Sequence, residues 1–208
     1  MQRSFSLKRF LLGLVMLGSL GSCAHAADAV QTIVMVRHGE KPEAGLGQLD
    51  CQGLNRSLAL PPVLAKFGRP DAIFAPDPGQ AKKDGGVVYS YVRPLATIEP
   101  TAIALGMPVD ASLGFADIAG LQHRLEAAPL RGALVLVAWE HWEIVQLSRK
   151  LLAAHGGNPA SVPDWDGGDF DAIYIVRITH TAARDTATFE RGTEGLDGQK
   201  TTCPGAPN

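Results

Sequence analysis

Arg37-His38-Gly39-Glu40 sets a cation, an imidazole, a glycine and a carboxylate in consecutive positions. An imidazole can attack an electrophile or carry a proton, a guanidinium grips anions through a planar fork, and glycine permits close backbone approach. A second imidazole, His141, follows Trp139-Glu140, and a second guanidinium, Arg93, stands directly before Pro94. Two guanidinium and two imidazole groups drawn together would suit a phosphate dianion. The competing chemistry is a metal site built from His38, Glu40, Glu140 and His141. Arg37 and Arg93 would repel a divalent cation, and metal-ligand spacing on one helix is lacking. No metal is therefore expected.

The elements that must position these groups alternate between strand and helix. Val30–Val36 and Gly132–Ala138 are short apolar runs, read as buried strands that end at His38 and close to His141. Ligands in an open α/β sheet bind at the carboxyl ends of such strands. Further strands are predicted at Asp71–Ala75, Met107–Val109, Asp171–Ile178 and Thr186–Glu190, the last two as antiparallel neighbours. Helices are expected from about Asp50 to Phe67 (broken at Pro61-Pro62), Pro94–Leu105, Asp117–Ala128 and His141–His155. The start of the arginine helix would offer free N–H groups to an anion. Residues 76–88, with two prolines and three glycines, read as a mobile loop. The order predicts a three-layer α/β sandwich, its mostly parallel central sheet covered by helices on both faces.

Val36-Arg37-His38-Gly39-Glu40 resembles the RHG signature of the histidine phosphatase, or phosphoglycerate mutase-like, superfamily. Leu49-x-x-x-Gly53-x-x-Arg56 is similar to that family's Leu-Thr-x-x-Gly-x-x-Gln segment, with arginine in the place of glutamine. Arg93-Pro94-x-x-Thr97 resembles its second arginine helix, and Val135–Ala138 with His141 its second histidine strand. The resemblance covers about residues 30–178. It implies that His38 attacks phosphorus while Arg37, Arg93 and His141 bind the phosphate oxygens, with no cofactor. It leaves the general acid open. Some relatives carry an acid just after the second histidine, so Glu143 is the first candidate, Glu140 the second and Asp117 the third. Glu99 is read as structural, Trp139 and Trp142 as core or pocket wall, and His123, His155 and His180 as ordinary.

Composition bounds the remaining possibilities. The chain has 208 residues, 46% hydrophobic and 19% charged, with a net charge of −2, which fits one globular domain and no nucleic-acid footprint. Arg3, Lys8 and Arg9 precede an apolar run, Phe10–Leu20, shorter than the roughly 20 residues of a membrane span. This reads as a secretory signal peptide over residues 1–26, cleaved after Ala24-His25-Ala26. The competing lipobox, Leu20-Gly21-Ser22-Cys23, would end the signal at residue 22 and leave a lipid on Cys23 as the only tie to a membrane. Residues 27–190 would form the domain and 191–208 a tail. Export leaves Cys51 and Cys203 as an even pair in an oxidising compartment, a candidate disulfide.

The expectation is an exported, periplasmic or lipid-anchored phosphatase acting on a small phosphomonoester. A non-catalytic envelope protein that binds phosphate or a phospholigand is the alternative. Mutase chemistry on glycolytic sugars does not suit an exported chain, and phosphohistidine-protein dephosphorylation usually belongs to the cytoplasm. Specificity is expected in residues 42–48, 76–92 and 111–118, which lack a large basic patch and so do not favour a polyphosphorylated ligand.

Overall fold

The computed structural model describes residues 28–205. The expected signal peptide, both cleavage motifs and Cys23 lie outside that range. Eight strands and five α-helices alternate in the order β1 (Ala29–Arg37), α1 (Cys51–Ala59), α2 (Pro61–Leu64), β2 (Ala72–Pro76), β3 (Ala81–Asp84), β4 (Val87–Ser90), α3 (Arg93–Leu105), β5 (Asp110–Leu113), α4 (Ile118–Leu125), β6 (Leu134–Trp139), α5 (His141–Ala154), β7 (Ala172–His180) and β8 (Thr186–Thr193). Six strands form the central sheet in the order β5-β2-β6-β1-β7-β8. The first four run parallel, and β7 lies antiparallel to both β1 and β8.

Side chains alternate across a strand, so a strand buried on both faces feeds two cores. Ile33 and Met35 of β1 join Val135, Val137, Leu121, Leu125, Ile144 and Leu151 beneath α4 and α5. Val34 and Val36 join Leu136, Ala138, Leu60, Leu64, Ile98 and Ala102 beneath α1 to α3. Burying each aliphatic side chain contributes roughly 1.5–3 kcal/mol. This two-sided packing holds β1 and β6 rigid and in register, Arg37 level with Trp139. The three-layer architecture and the mostly parallel sheet are as the sequence predicts.

Several local expectations are corrected. Residues 76–88 are not simply loop, because they hold β3 and begin β4, a two-stranded hairpin separate from the main sheet. Gly85 and Gly86, both at positive φ, make its two-residue turn, which the right-handed strand twist favours. The strand expected at Met107–Val109 begins only at Asp110, where pairing with Phe74 becomes possible. The helix expected to reach Ala128 ends at Leu125, and a 3₁₀ turn containing Pro129 follows. The domain does not stop at residue 190, since β8 pairs with β7 as far as Thr193 and Glu194 is buried.

The remaining tail is stapled rather than loose. Cys51 and Cys203 are disulfide-bonded with Cα atoms 4.5 Å apart at a sequence separation of 152. Asn55, one turn along α1, donates to the carbonyls of Lys200 and Thr202. Closing so long a loop contributes at most about 4–5 kcal/mol by loop entropy.

Candidate active site

The site is assembled by two interlocking glycines. A Cβ on Gly39 would sit 3.0 Å from Gly53 Cα, and one on Gly53 would sit 2.3 Å from the Glu40 carbonyl oxygen. Only glycine at both positions lets α1 press this closely on the chain leaving β1. Asp50 caps α1 by accepting from Gly53 N (2.8 Å), and its own N–H donates to the Glu40 carbonyl. On the other side, Gly39 N–H donates to Thr97 Oγ1 (2.9 Å), whose hydroxyl donates to the Arg93 carbonyl. The loop after β1 is thereby locked to the helix that presents Arg93.

His38 leaves β1 with its N–H bonded to the Trp139 carbonyl (3.0 Å) and its side chain buried. Its Nδ1 lies 2.8 Å from the Gly39 carbonyl, an acceptor only, so Nδ1 carries the proton and Nε2 keeps a free lone pair. Burial, reinforced by the nearby Arg93 and Arg37 charges, lowers the ring's pKa to about 3 against the Gly39 hydrogen bond. The result is a neutral imidazole with one oriented nucleophilic nitrogen.

Arg37 and Arg93 are both buried beside it. Arg37 Nη1 donates to the carbonyls of Gly167 and Asp169 (2.8 Å each), and its guanidinium lies 3.8 Å from the Phe170 ring centroid. Arg93 Nη1 is taken up by Asp84, with the Gly45 carbonyl at 3.4 Å. In both arginines Nε is buried without a hydrogen-bond partner, and Nη2 makes no hydrogen bond among the described residues. Nε and Nη2 form the edge of a guanidinium that grips an anion side-on. Two such edges are left without a protein partner, and both guanidinium charges act on the His38 ring.

The helix starts contribute less than expected. The N–H groups of Val92 and Arg93 both donate to the Gly47 carbonyl, so the opening of α3 is occupied by protein. Glu140 likewise caps α5 by accepting from Trp142 N (2.9 Å) and Glu143 N (3.2 Å). Its other oxygen stands 2.8 Å from Nδ1 of the buried His141 ring.

These contacts separate the acid candidates. Burial pushes Glu140 up, but His141, Lys82 and the α5 N–H groups together outweigh it and hold the carboxylate at about 2. Glu140 is therefore the partner of His141 rather than a proton donor, a correction to its second-candidate reading. Glu143, one turn into α5, is pushed up by partial burial and by the neighbouring Glu140 charge, against the pull of Lys82. Asp117 is spent capping α4 through Gly120 N, and Glu99 is exposed. Glu143 is the carboxyl whose surroundings favour the protonated form.

Glu40 does not face this site, so the four residues of the hypothetical metal cluster do not converge. Its carboxylate accepts from Nε and Nη2 of Arg56 at 2.8–3.1 Å. Arg56 is fully buried and also contacts Glu194 (2.7 Å), Asp171 (3.2 Å) and Asp197 (3.1 Å). The arginine that replaces the expected glutamine thus has four acidic partners, joining the loop after β1 to the start of β7 and the segment that follows β8.

Sequence reasoning missed four residues that wall the site. Tyr91 is fully buried, edge-on to His38 at 6.1 Å between centroids, with an unpartnered hydroxyl kept in phenol form by burial. Phe170 backs Arg37, while Phe115 packs on Tyr91 and is fixed by its carbonyl accepting from Trp139 Nε1. Trp139 is thus a buried anchor, whereas Trp142 is 53% exposed beside His141. Lys82 lies over Tyr91 and Phe115. The Gly-Gly pair followed by Val87-Val88-Tyr89 was the available signal for the hairpin that carries it.

No family model matches the chain, and no curated protein does. Solved structures do match. Mycobacterial glucosyl-3-phosphoglycerate phosphatase in complex with inorganic phosphate shares 16% identity over 77% of this chain and 95% of its own, with a TM-score of 0.55. A structure described as mycobacterial hydrolase 2 shares 15% identity over 77% and 89%, at 0.54. Phosphoglycerate mutase from Plasmodium falciparum shares 12% over 78% and 89%, at 0.50. With the strand order and the site above, these likenesses establish the architecture: the chain has the fold of the histidine phosphatase, or phosphoglycerate mutase-like, superfamily.

Proposed function

We propose that this protein is an exported phosphatase that hydrolyses a small phosphomonoester through a phosphohistidine on His38. The observation that carries the reading is the pair of buried guanidinium groups, Arg37 and Arg93, whose Nε atoms have no protein partner and whose charges act on the neutral His38 ring. Nε2 attacks phosphorus, the P–N bond forms and the ester P–O bond breaks. The arginines and His141 neutralise charge on the three non-bridging oxygens, and Glu143 gives its proton to the departing alkoxide. Water then attacks the phosphohistidine, Glu143 takes back a proton, the P–N bond breaks and inorganic phosphate leaves. Nδ1–H stays on the Gly39 carbonyl throughout. The solved structures of similar fold that are phosphatases support the hydrolytic reading. The Cys51–Cys203 bridge and the amino-terminal basic-apolar stretch support export.

Vanadate inhibition tests the anion site. Arg93→Ala is expected to weaken it by roughly 10–100-fold, and Arg93→Lys to recover only part, because an ammonium cannot reproduce the fork. Unchanged inhibition in Arg93→Ala would place that arginine outside the site.

Glu143→Gln is expected to slow the first step, phosphoryl transfer from alkyl phosphates to His38, by roughly 10²–10³-fold in single-turnover measurements while sparing that step for an activated aryl ester, whose leaving group needs no proton. The donor must be protonated, so wild-type rates on alkyl esters fall as pH rises through its raised pKa. That limb should vanish in the variant. Equal losses on both ester types would assign the proton elsewhere.

A further inference from the structure

We propose that the groove between α2 and the last turns of α3 binds a medium-chain aliphatic carboxylate that also carries a hydroxyl group. The groove encloses about 410 Å³, a volume in the range of small-molecule sites. Leu64, Leu105 and Leu136 line it together with prolines, alanines and a glycine, and only Thr101 and Arg69 bring polar side chains to it. Pro62, Ala65 and Ala104, also lining residues, are exposed, so the groove opens to solvent.

Thr101 is fully buried, and its hydroxyl has no hydrogen-bond partner. One turn earlier on the same face of α3, Thr97 donates to the Arg93 carbonyl, a bond back along the helix that Thr101 does not repeat. A hydroxyl shut among apolar side chains without a partner is destabilising, so the buried wall of the groove is short of one polar group. Arg69 is exposed, donates through Nη2 to the Leu105 carbonyl (3.2 Å) and has no acidic partner among the described residues. The two groups call for different chemistry. A carboxylate at Arg69 keeps part of its hydration and gains a guanidinium, whereas beside Thr101 it would be stripped of water among aliphatic side chains. Thr101 therefore takes a neutral hydroxyl, which can donate or accept, while the carbon chain covers the leucines. This groove is separate from the phosphate grip. Arg93 and Thr101 share a face of α3 but lie about 12 Å apart along its axis. Binding here is thus independent of the phosphatase reading.

Calorimetric titration with 3-hydroxyoctanoate, octanoate and 1,3-octanediol reads the two contacts separately, since each control lacks one group. Wild type is expected to bind the hydroxy acid about tenfold more tightly than either control, and equally well with vanadate present. Thr101→Val should erase the preference over octanoate and leave Tm at or above that of wild type, because valine keeps the shape and removes the unpaired hydroxyl. Arg69→Gln should erase the preference over the diol. Ala104→Trp, which fills the groove from its exposed side, should abolish binding of all three. No binding to wild type at millimolar ligand, no preference for the hydroxy acid, or preferences unchanged in Thr101→Val or Arg69→Gln would overturn the proposal. A dimer in sedimentation that Ala104→Trp dissociates, with no ligand bound by wild type, would assign the groove to a second copy of the chain instead.

Discussion

His38→Ala is expected to lose phosphomonoester hydrolysis by about 10⁴-fold or more, well beyond the roughly hundredfold typical of a lost positioning contact. The reason is covalent. Without Nε2 there is no atom to accept phosphorus, and the two arginine edges can only hold the substrate. Phosphate and vanadate should still bind, since neither arginine depends on the ring. A fold control accompanies the loss. Burial holds His38 at about 3 in the folded chain against an ordinary value of 6.5, so the unfolded chain takes up the proton first. Wild-type stability therefore falls as pH drops from about 6.5 towards 3, and His38→Ala, lacking that proton site, should lose less over the same window. A variant that is inactive but more acid-resistant has lost chemistry, not structure. Retained hydrolysis would end the covalent mechanism.

Arg56→Met should destabilise the protein by about 3–5 kcal/mol, the range for removing one member of a buried charge network. For a domain of this size that is a Tm lower by very roughly 10 °C. Arg56 is the only cation in contact with Glu40, Asp171, Glu194 and Asp197 among the described residues, and its removal strands Glu40 and Glu194 without a counter-charge. The effect should depend on pH. Burial pushes Glu194 up to about 8 even with Arg56 present. A carboxyl raised in the fold contributes stability that is full below its unfolded pKa and lost as pH rises through the folded one. Removing Arg56 raises that value further, so the deficit measured by urea unfolding should be larger at pH 9 than at pH 5. A loss under about 1 kcal/mol at both pH values would mean the network contributes nothing net.

The sequence made the phosphate grip legible because its parts sit at the ends of strong apolar strands. The apolar runs of Val30–Val36 and Gly132–Ala138 read as buried strands, and residues just past the end of a buried parallel strand face the ligand edge. The pairing of Cys51 with Cys203 was likewise accessible from the even count left by the expected export. The hairpin was only half signalled: Gly85-Gly86 before Val87-Val88-Tyr89 marks a turn and a strand, but Ala81-Lys82-Lys83-Asp84 has no apolar face. Its hold on the domain comes from Lys82 lying over two rings and from Asp84 pairing with Arg93, side-chain contacts that no hydrophobic period announces. Glu140 and Glu143 could not be told apart for a related reason. Deciding which one caps α5 requires the helix start to the residue, and glutamate is not among the preferred N-cap types. Arg56 looked like a departure from a motif until Glu194 and Asp197, far away in sequence, were seen to meet it.

Trapping the intermediate tests the central claim most directly. Wild-type protein mixed with ³²P-labelled substrate and quenched within milliseconds in alkaline denaturant should carry label on the peptide containing His38. A phosphoramidate survives base and is lost in acid, which separates it from a phosphoserine or an acyl phosphate. Base-stable, acid-labile label on His38, absent from His38→Ala and, with an activated aryl ester, increased in Glu143→Gln, where water attack is impaired, is the predicted result. Hydrolysis that proceeds at full rate with no label on His38 at any quench time would contradict the account.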